Sequence, residues 1–108
     1  MIKILTFDTE EWYIEKTYRG AHEEKYRSYD AMLETLLGLL EDRGLKATFF
    51  CVGRLVDDFP YVIKKIDAAG HEIGCHSNAH QWLNTMTDKD VYEDTHTAID
   101  KLDLKHWY

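Results

Sequence analysis

KATFFCVGRLVDDFPYVIKKIDAAGHEIGC, residues 46 to 75, reads as strand, helix, strand. KATFFCVG (46–53) and HEIGC (71–75) are short apolar runs of strand length, bounded by turn residues. Between them, Val62, Ile63 and Ile66 recur on one helical face. Pro60 falls in the first turn, where a missing N–H costs little, and Gly70 closes the helix.

The same alternation extends in both directions. Upstream, IKILTF (2–7) is a continuous β-branched run, expected as a strand covered on both faces. A polar loop from Glu10 to Arg27 follows, then Leu33, Leu36, Leu37 and Leu40 at helical spacing, with Gly44 as the C-terminal cap. Downstream, Thr87-Asp88-Lys89-Asp90 resembles a capping box with Asp90 in the usual Glu place. The helix it opens carries Val91, Thr95, Ile99 and Leu102. The order is β-α-β-α-β-α in one domain, 1–108, without repeats, linker or low-complexity segment. The fold class is α/β, a parallel sheet or part of a β/α barrel. Such folds gather their chemistry at the C-terminal ends of the strands.

Composition narrows the partners. With 44% hydrophobic and 31% charged residues the chain is an ordinary globular one. A net charge of -7 disfavours nucleic acid and anionic membrane. No stretch approaches the roughly 18 apolar residues of a membrane span. MIKILTF is too short for a secretory h-region, so the expected location is cytoplasmic. Cys51 and Cys75 lie near the ends of two strands. A disulfide requires those strands to be neighbours; reduced thiols acting as small hydrophobes are the expectation. Gly53 and Gly70 are isolated turn glycines, with no phosphate loop around them. There is no Gly-x-Ser-x-Gly elbow, and Ser77 stands where a HExxH protease needs glutamate.

Two groups of ligand-type residues fall at strand ends. Asp8 and Glu10 close the first strand in TFDTEEWY, and His76 and His80 follow the third in CHSNAH. Alone, an HxxxH pair is an ordinary polar loop, and an acidic pair after a strand is usually solvated. Parallel strands bring all four to one rim. Two imidazoles and a carboxylate with an open position form a catalytic zinc set, and four-residue spacing suits His76 and His80 to chelation. The second carboxylate is left to act as base on water. Cobalt, nickel and iron suit the same donors. Trp12 and Tyr13 follow the acidic pair and could stack on a sugar ring or simply pack. His71 reads as a strand-entry residue, His22 and His96 as solvent-facing or locally bonded, and His22-Glu23-Glu24-Lys25 as a solvated charge cluster.

TFDTE, ATFFCVG and HEIGCHSNAH, in this order and spacing, resemble the N-terminal part of the polysaccharide deacetylase family (NodB homology, carbohydrate esterase family 4), from Lys3 to about Asp100. The family's His-Ser/Thr-x-x-His motif is matched by His76, Ser77 and His80. The resemblance implies the first half of a distorted (β/α)7 barrel. It also implies metal-dependent hydrolysis of an N-acetyl, or occasionally O-acetyl, group on a carbohydrate. On that basis Asp8 is the general base, His76 and His80 bind a divalent metal, zinc first, and Ser77 shapes the loop from behind the ligands.

The sequence departs from the family pattern twice. Where the first motif commonly has adjacent aspartates, Thr9 holds the second place. Glu10, one residue on and one methylene longer, is assigned as third ligand, with Glu11 its substitute. The later Arg-x-Pro segment is absent, since Asp58 stands two places before Pro60. His106 does not fit the Leu-x-x-His segment that supplies the general acid. The chain stops about where a fourth strand would begin, so a half barrel lacking that acid is expected. The alternative is a non-catalytic metal-binding or self-assembling half-barrel module. Either way, exposed sheet edges predict a homo-oligomer.

Overall fold

The structure, a computed structural model, describes residues 1–10 and 22–104, with backbone alone for 22–29. Three strands, β1 (Thr6–Thr9), β2 (Thr48–Cys51) and β3 (Glu72–Cys75), pair in parallel in the order β1-β2-β3. The helices are α1 (His22–Asp42), α2 (Arg54–Asp58), α3 (Pro60–Ala68) and α4 (Asp88–Lys101), with a short 3-10 turn at Leu83–Thr85 before the last. The expected α/β alternation and parallel sheet are therefore present.

Register fixes the two faces of the sheet. Thr6, Thr48 and Glu72 lie side by side, as do Phe7, Phe49 and Ile73; Asp8, Phe50 and Gly74; and Thr9, Cys51 and Cys75. Side chains alternate along a strand, so Phe7, Phe49, Ile73, Cys51 and Cys75 all turn toward the helices and join one core. Leu33 and Leu40 of α1, Leu55 of α2 and Val62 and Ile66 of α3 close over them. Each of the fully buried Phe49, Phe59, Leu55 and Ile66 contributes about 1.5–3 kcal/mol by leaving water. The opposite face carries Thr6, Asp8, Thr48, Phe50, Glu72 and Gly74. There the Phe50 ring crosses β3 where Gly74 leaves room: a Cβ on Gly74 would sit 2.5 Å from Phe50 Cδ1.

Several boundaries differ from the sequence expectation. β1 begins at Thr6, and Ile2 and Ile4 are exposed rather than covered on both faces. They run past the start of β2, whose ladder opens with the Thr48 N–H donating to Leu5 O. α1 starts at His22, so the charged run expected in a loop is helical; glutamate, lysine and arginine are good helix formers. The helix expected with Pro60 in its first turn forms as α3, and a separate short helix, α2, precedes it, the two broken at Phe59 (φ -139°, ψ 67°). Pro60 supplies the break, because it disfavours helical backbone at the preceding residue and starts α3 at its N1 position. The Thr87–Asp90 capping box forms as expected. Its helix, however, buries Ala98 and Leu102 and leaves Thr95 and Ile99 exposed.

α1, α3 and α4 end alike. Gly44 (φ +60°), Gly70 (φ +77°) and Asp103 (φ +54°) are left-handed. In each case the next residue's N–H returns to a carbonyl five positions back: Leu45 to Leu40, His71 to Ile66, Leu104 to Ile99. This closure satisfies helix-end carbonyls and turns the chain sharply.

Candidate metal centre

The strand ends place the site. Beyond the last register triplet, Val52 N–H donates to Thr9 O and His76 N–H to Cys51 O. Glu10 and His76 are thus the next residues in line on the two outer strands. Alternation turns both toward the face of Asp8 and Phe50. Adjacent strands lie roughly 4.8 Å apart, so the two side chains must bridge about two spacings over the end of β2. Glutamate has the length to do so.

Glu10, His76 and His80 come together. Glu10 Oε2 lies 3.1 Å from His76 Nε2 and 2.6 Å from His80 Nε2, and the two imidazole centroids are 5.2 Å apart. One potential ligand atom from each of the three lies within 4.8 Å of the others. All three side chains are about a third exposed, at 40%, 32% and 36%. Two imidazole nitrogens converging on one carboxylate oxygen, open to solvent, fit a borderline divalent cation. In the ion-free arrangement a proton on Nε2 lets each ring donate to Glu10; an ion would take the place of those protons. Asp8, also at this rim and exposed, stands two residues before Glu10 on the same strand face, outside that trio.

The loop joining the histidines is strained and braced. Ser77 (φ +62°) and His80 (φ +52°) are left-handed although neither is glycine, at a cost of about 1–2 kcal/mol each. His80 N–H donates to Ser77 Oγ at 3.0 Å. Gly53 N–H donates to Ser77 O at 2.9 Å and Arg54 N–H to Asn78 O at 3.2 Å, docking the loop on the start of α2. From α4, the Asp94 carboxylate accepts from Asn78 N–H at 2.8 Å and Ala79 N–H at 2.9 Å. Neither Gly53 nor Asp94 stood out in the sequence. The only trace of Asp94 is an acid on the stripe Val91, Asp94, Ala98, Leu102, which otherwise faces inward.

Other candidates resolve simply. His71 is buried at the entry to β3, accepting Ala47 N–H at Nδ1 (3.3 Å) and packing on Phe49. Its burial, then the Lys46 ammonium, push its pKa down. His96 is exposed and paired with Asp100 at 3.3 Å. Cys51 and Cys75 sit side by side on neighbouring strands yet remain free thiols. Burial pushes Cys51 up to about 12, partly offset by a hydrogen bond with Thr9. Glu11, Trp12, Tyr13 and His106 lie outside the described residues. Among those described, no helix is long and apolar enough to cross a membrane.

The family model for polysaccharide deacetylase matches residues 4–105. A peptidoglycan-N-acetylglucosamine deacetylase of Bacillus cereus is 43% identical over 47 residues, 44% of this chain and 17% of the relative. The peptidoglycan-N-acetylmuramic acid deacetylase PdaA of Bacillus subtilis is 33% identical over 84 residues, 71% of this chain and 32% of its own. Among solved structures, a mutant CE4-family pseudoenzyme with restored enzymatic activity superposes with TM-score 0.71 at 25% identity, over 94% of this chain and 31% of that one. The peptidoglycan deacetylase PdaC of Bacillus subtilis does so with TM-score 0.70 at 23% identity, over 97% and 44%. The chain thus spans less than half the length of each.

Proposed function

The chain belongs to the polysaccharide deacetylase family, and from that premise we propose that it carries the metal-binding portion of a hydrolase that removes N-acetyl groups from a carbohydrate. Glu10, His76 and His80 would hold the divalent ion, zinc first. A bound ion would supply Lewis-acid polarisation of the acetyl carbonyl and activation of water. The observation that carries the reading is the convergence of both imidazole Nε2 atoms, at 3.1 and 2.6 Å, on one oxygen of Glu10.

Asp8 is assigned the proton. Its carboxylate would take one from the attacking water as the oxygen adds to the acetyl carbon. The C–N bond then breaks, acetate leaves, and the proton held by Asp8 would pass to the amine nitrogen, directly or through water, restoring the carboxylate. Ser77 and the left-handed turn at His80 orient the second imidazole. The names of the relatives, which specify N-acetylglucosamine and N-acetylmuramic acid of peptidoglycan, support the substrate class; an N-acetylated glycan would be the corresponding substrate here.

Calorimetric titration of the metal-free chain with zinc, beside Glu10→Ala and His80→Ala, tests the site. One tight site, lost in both variants, is expected. Absence of binding by the parent refutes the metal assignment. Acetate release from N-acetylglucosamine oligomers then tests the reaction, with Asp8→Asn expected to abolish it while zinc still binds.

A second reading has its own support. Among the described residues, β1 and β3 are both edges of the three-stranded sheet, and unpaired edges are templates for another chain. Two copies completing one another's sheet would form an assembly module. Light scattering that finds a folded monomer at every concentration eliminates it.

A further inference from the structure

We propose that Asp94 is a positioning residue for the metal centre: its carboxylate holds the backbone between the two histidines and so sets where His80 points. The proposal rests on the metal reading above and adds to it a residue from a different helix. Asn78 and Ala79 donate consecutive backbone N–H groups, at 2.8 and 2.9 Å, to the two oxygens of one carboxylate. Successive N–H groups aimed the same way form an anion-binding concavity, and here the anion belongs to the protein.

Three features make the contact more than a helix-to-loop tether. The segment it holds is bracketed by the left-handed Ser77 and His80, a backbone path that persists only where surrounding contacts impose it. The anchor is stiff, because Asp94 shares its helix face with Ala98, at 0% exposure, and Leu102, at 4%. The loop is also pinned by the Gly53 and Arg54 amides, which donate to Ser77 O and Asn78 O. His80 follows Ala79 directly. Releasing the Asn78 and Ala79 amides therefore frees the torsions that aim its ring at Glu10. Groups that orient ligands in this way commonly alter metal affinity 10–100-fold when removed.

The test uses the whole chain, with Asp94→Ala, Asp94→Asn and, as control, Glu93→Gln, which alters the neighbouring exposed acid. Amide hydrogen exchange is measured on the metal-free proteins, and zinc affinity by competition with a chromophoric chelator. Both amides are expected to be protected in the parent. In Asp94→Ala their exchange should accelerate roughly tenfold or more, and zinc should bind roughly 10–100-fold more weakly. Asp94→Asn, which keeps one carbonyl acceptor, should fall between, and Glu93→Gln should match the parent. Parental exchange at Asn78 and Ala79 in folded Asp94→Ala or Asp94→Asn overturns the proposal, as does parental zinc affinity with protection lost. If the parent itself takes up no zinc, the metal reading fails. The exchange measurement then decides alone whether Asp94 sets the loop.

Discussion

Replacing Gly53 by alanine adds one methyl group at the point where the histidine loop, β2 and α4 meet. The new Cβ would lie 2.8 Å from Asn78 Oδ1, 3.1 Å from Ala98 Cα and 3.3 Å from Asn78 Cα. Two of those atoms are backbone and cannot swing aside, and Asn78 Oδ1 is already buried without a hydrogen-bond donor among the described residues. Overpacking of this kind costs about 1–3 kcal/mol. Because Gly53 is in a right-handed helical conformation (φ -59°, ψ -30°), alanine recovers about 0.4–1 kcal/mol by restricting the unfolded chain. The net expectation is a loss of about 1–2 kcal/mol. At about 4–8 °C per kcal/mol in a domain of this size, Tm should fall by roughly 5–15 °C. Zinc affinity should fall with it, since relief requires the loop carrying His80 to move. Gly38→Ala is the control: nothing lies within 4 Å of its Cβ position, and in mid-helix alanine should stabilise by about 0.5–1 kcal/mol. Thermal unfolding and zinc titration of both variants decide the matter. A Gly53→Ala protein with parental Tm and parental zinc affinity refutes the close approach.

Zinc at a hundredfold excess over its Kd should raise unfolding stability by about 2.7 kcal/mol. EDTA should reverse the gain, and Glu10→Ala should show none in a denaturant titration. His71 should confer a pH dependence. Its folded pKa is depressed by burial and Lys46, so the unfolded chain binds the proton first. Stability is then complete above about pH 6.5, the ordinary imidazole value, and is lost as pH falls through the depressed one. His71→Gln should flatten that slope in unfolding curves taken between pH 7 and 5. Of the two described thiols, partly exposed Cys75 should react with an aromatic disulfide reagent in the native state. Cys51, fully buried and with its pKa pushed up to about 12, should react only on unfolding; equal rates would contradict its placement.

The order of elements was legible because each run declares its own period. The convergence of Glu10 with both histidines was legible because parallel strands bring their C-terminal ends to one rim. What escaped was set by contacts without a sequence signature. Asp94 meets backbone N–H groups, which every residue possesses, so nothing at Asn78 or Ala79 announces the pairing. Gly53 read as a turn glycine, whereas what excludes a side chain there is the nearness of Asn78 and Ala98, 25 and 45 positions downstream. The start of β1 was misplaced because Ile2 and Ile4 satisfy strand propensity without a partner strand beside them. The start of α3 was legible from Pro60 itself, whereas α2, five residues long, is too brief to show a period.

Glu10 and His76 lie 66 positions apart, just past the C-terminal ends of β1 and β3 in a sheet whose strands pair in chain order. Their meeting requires both crossovers to be complete and both ladders to be formed. Contacts that close so long a stretch of chain come after the local ones. An ion held there would therefore leave the rate of folding nearly untouched and slow the rate of unfolding. In a plot of rate against denaturant, zinc should lower the unfolding limb and leave the refolding limb where it was. The cluster would then act as a latch on a sheet already built, lengthening the life of the folded chain without hastening its assembly.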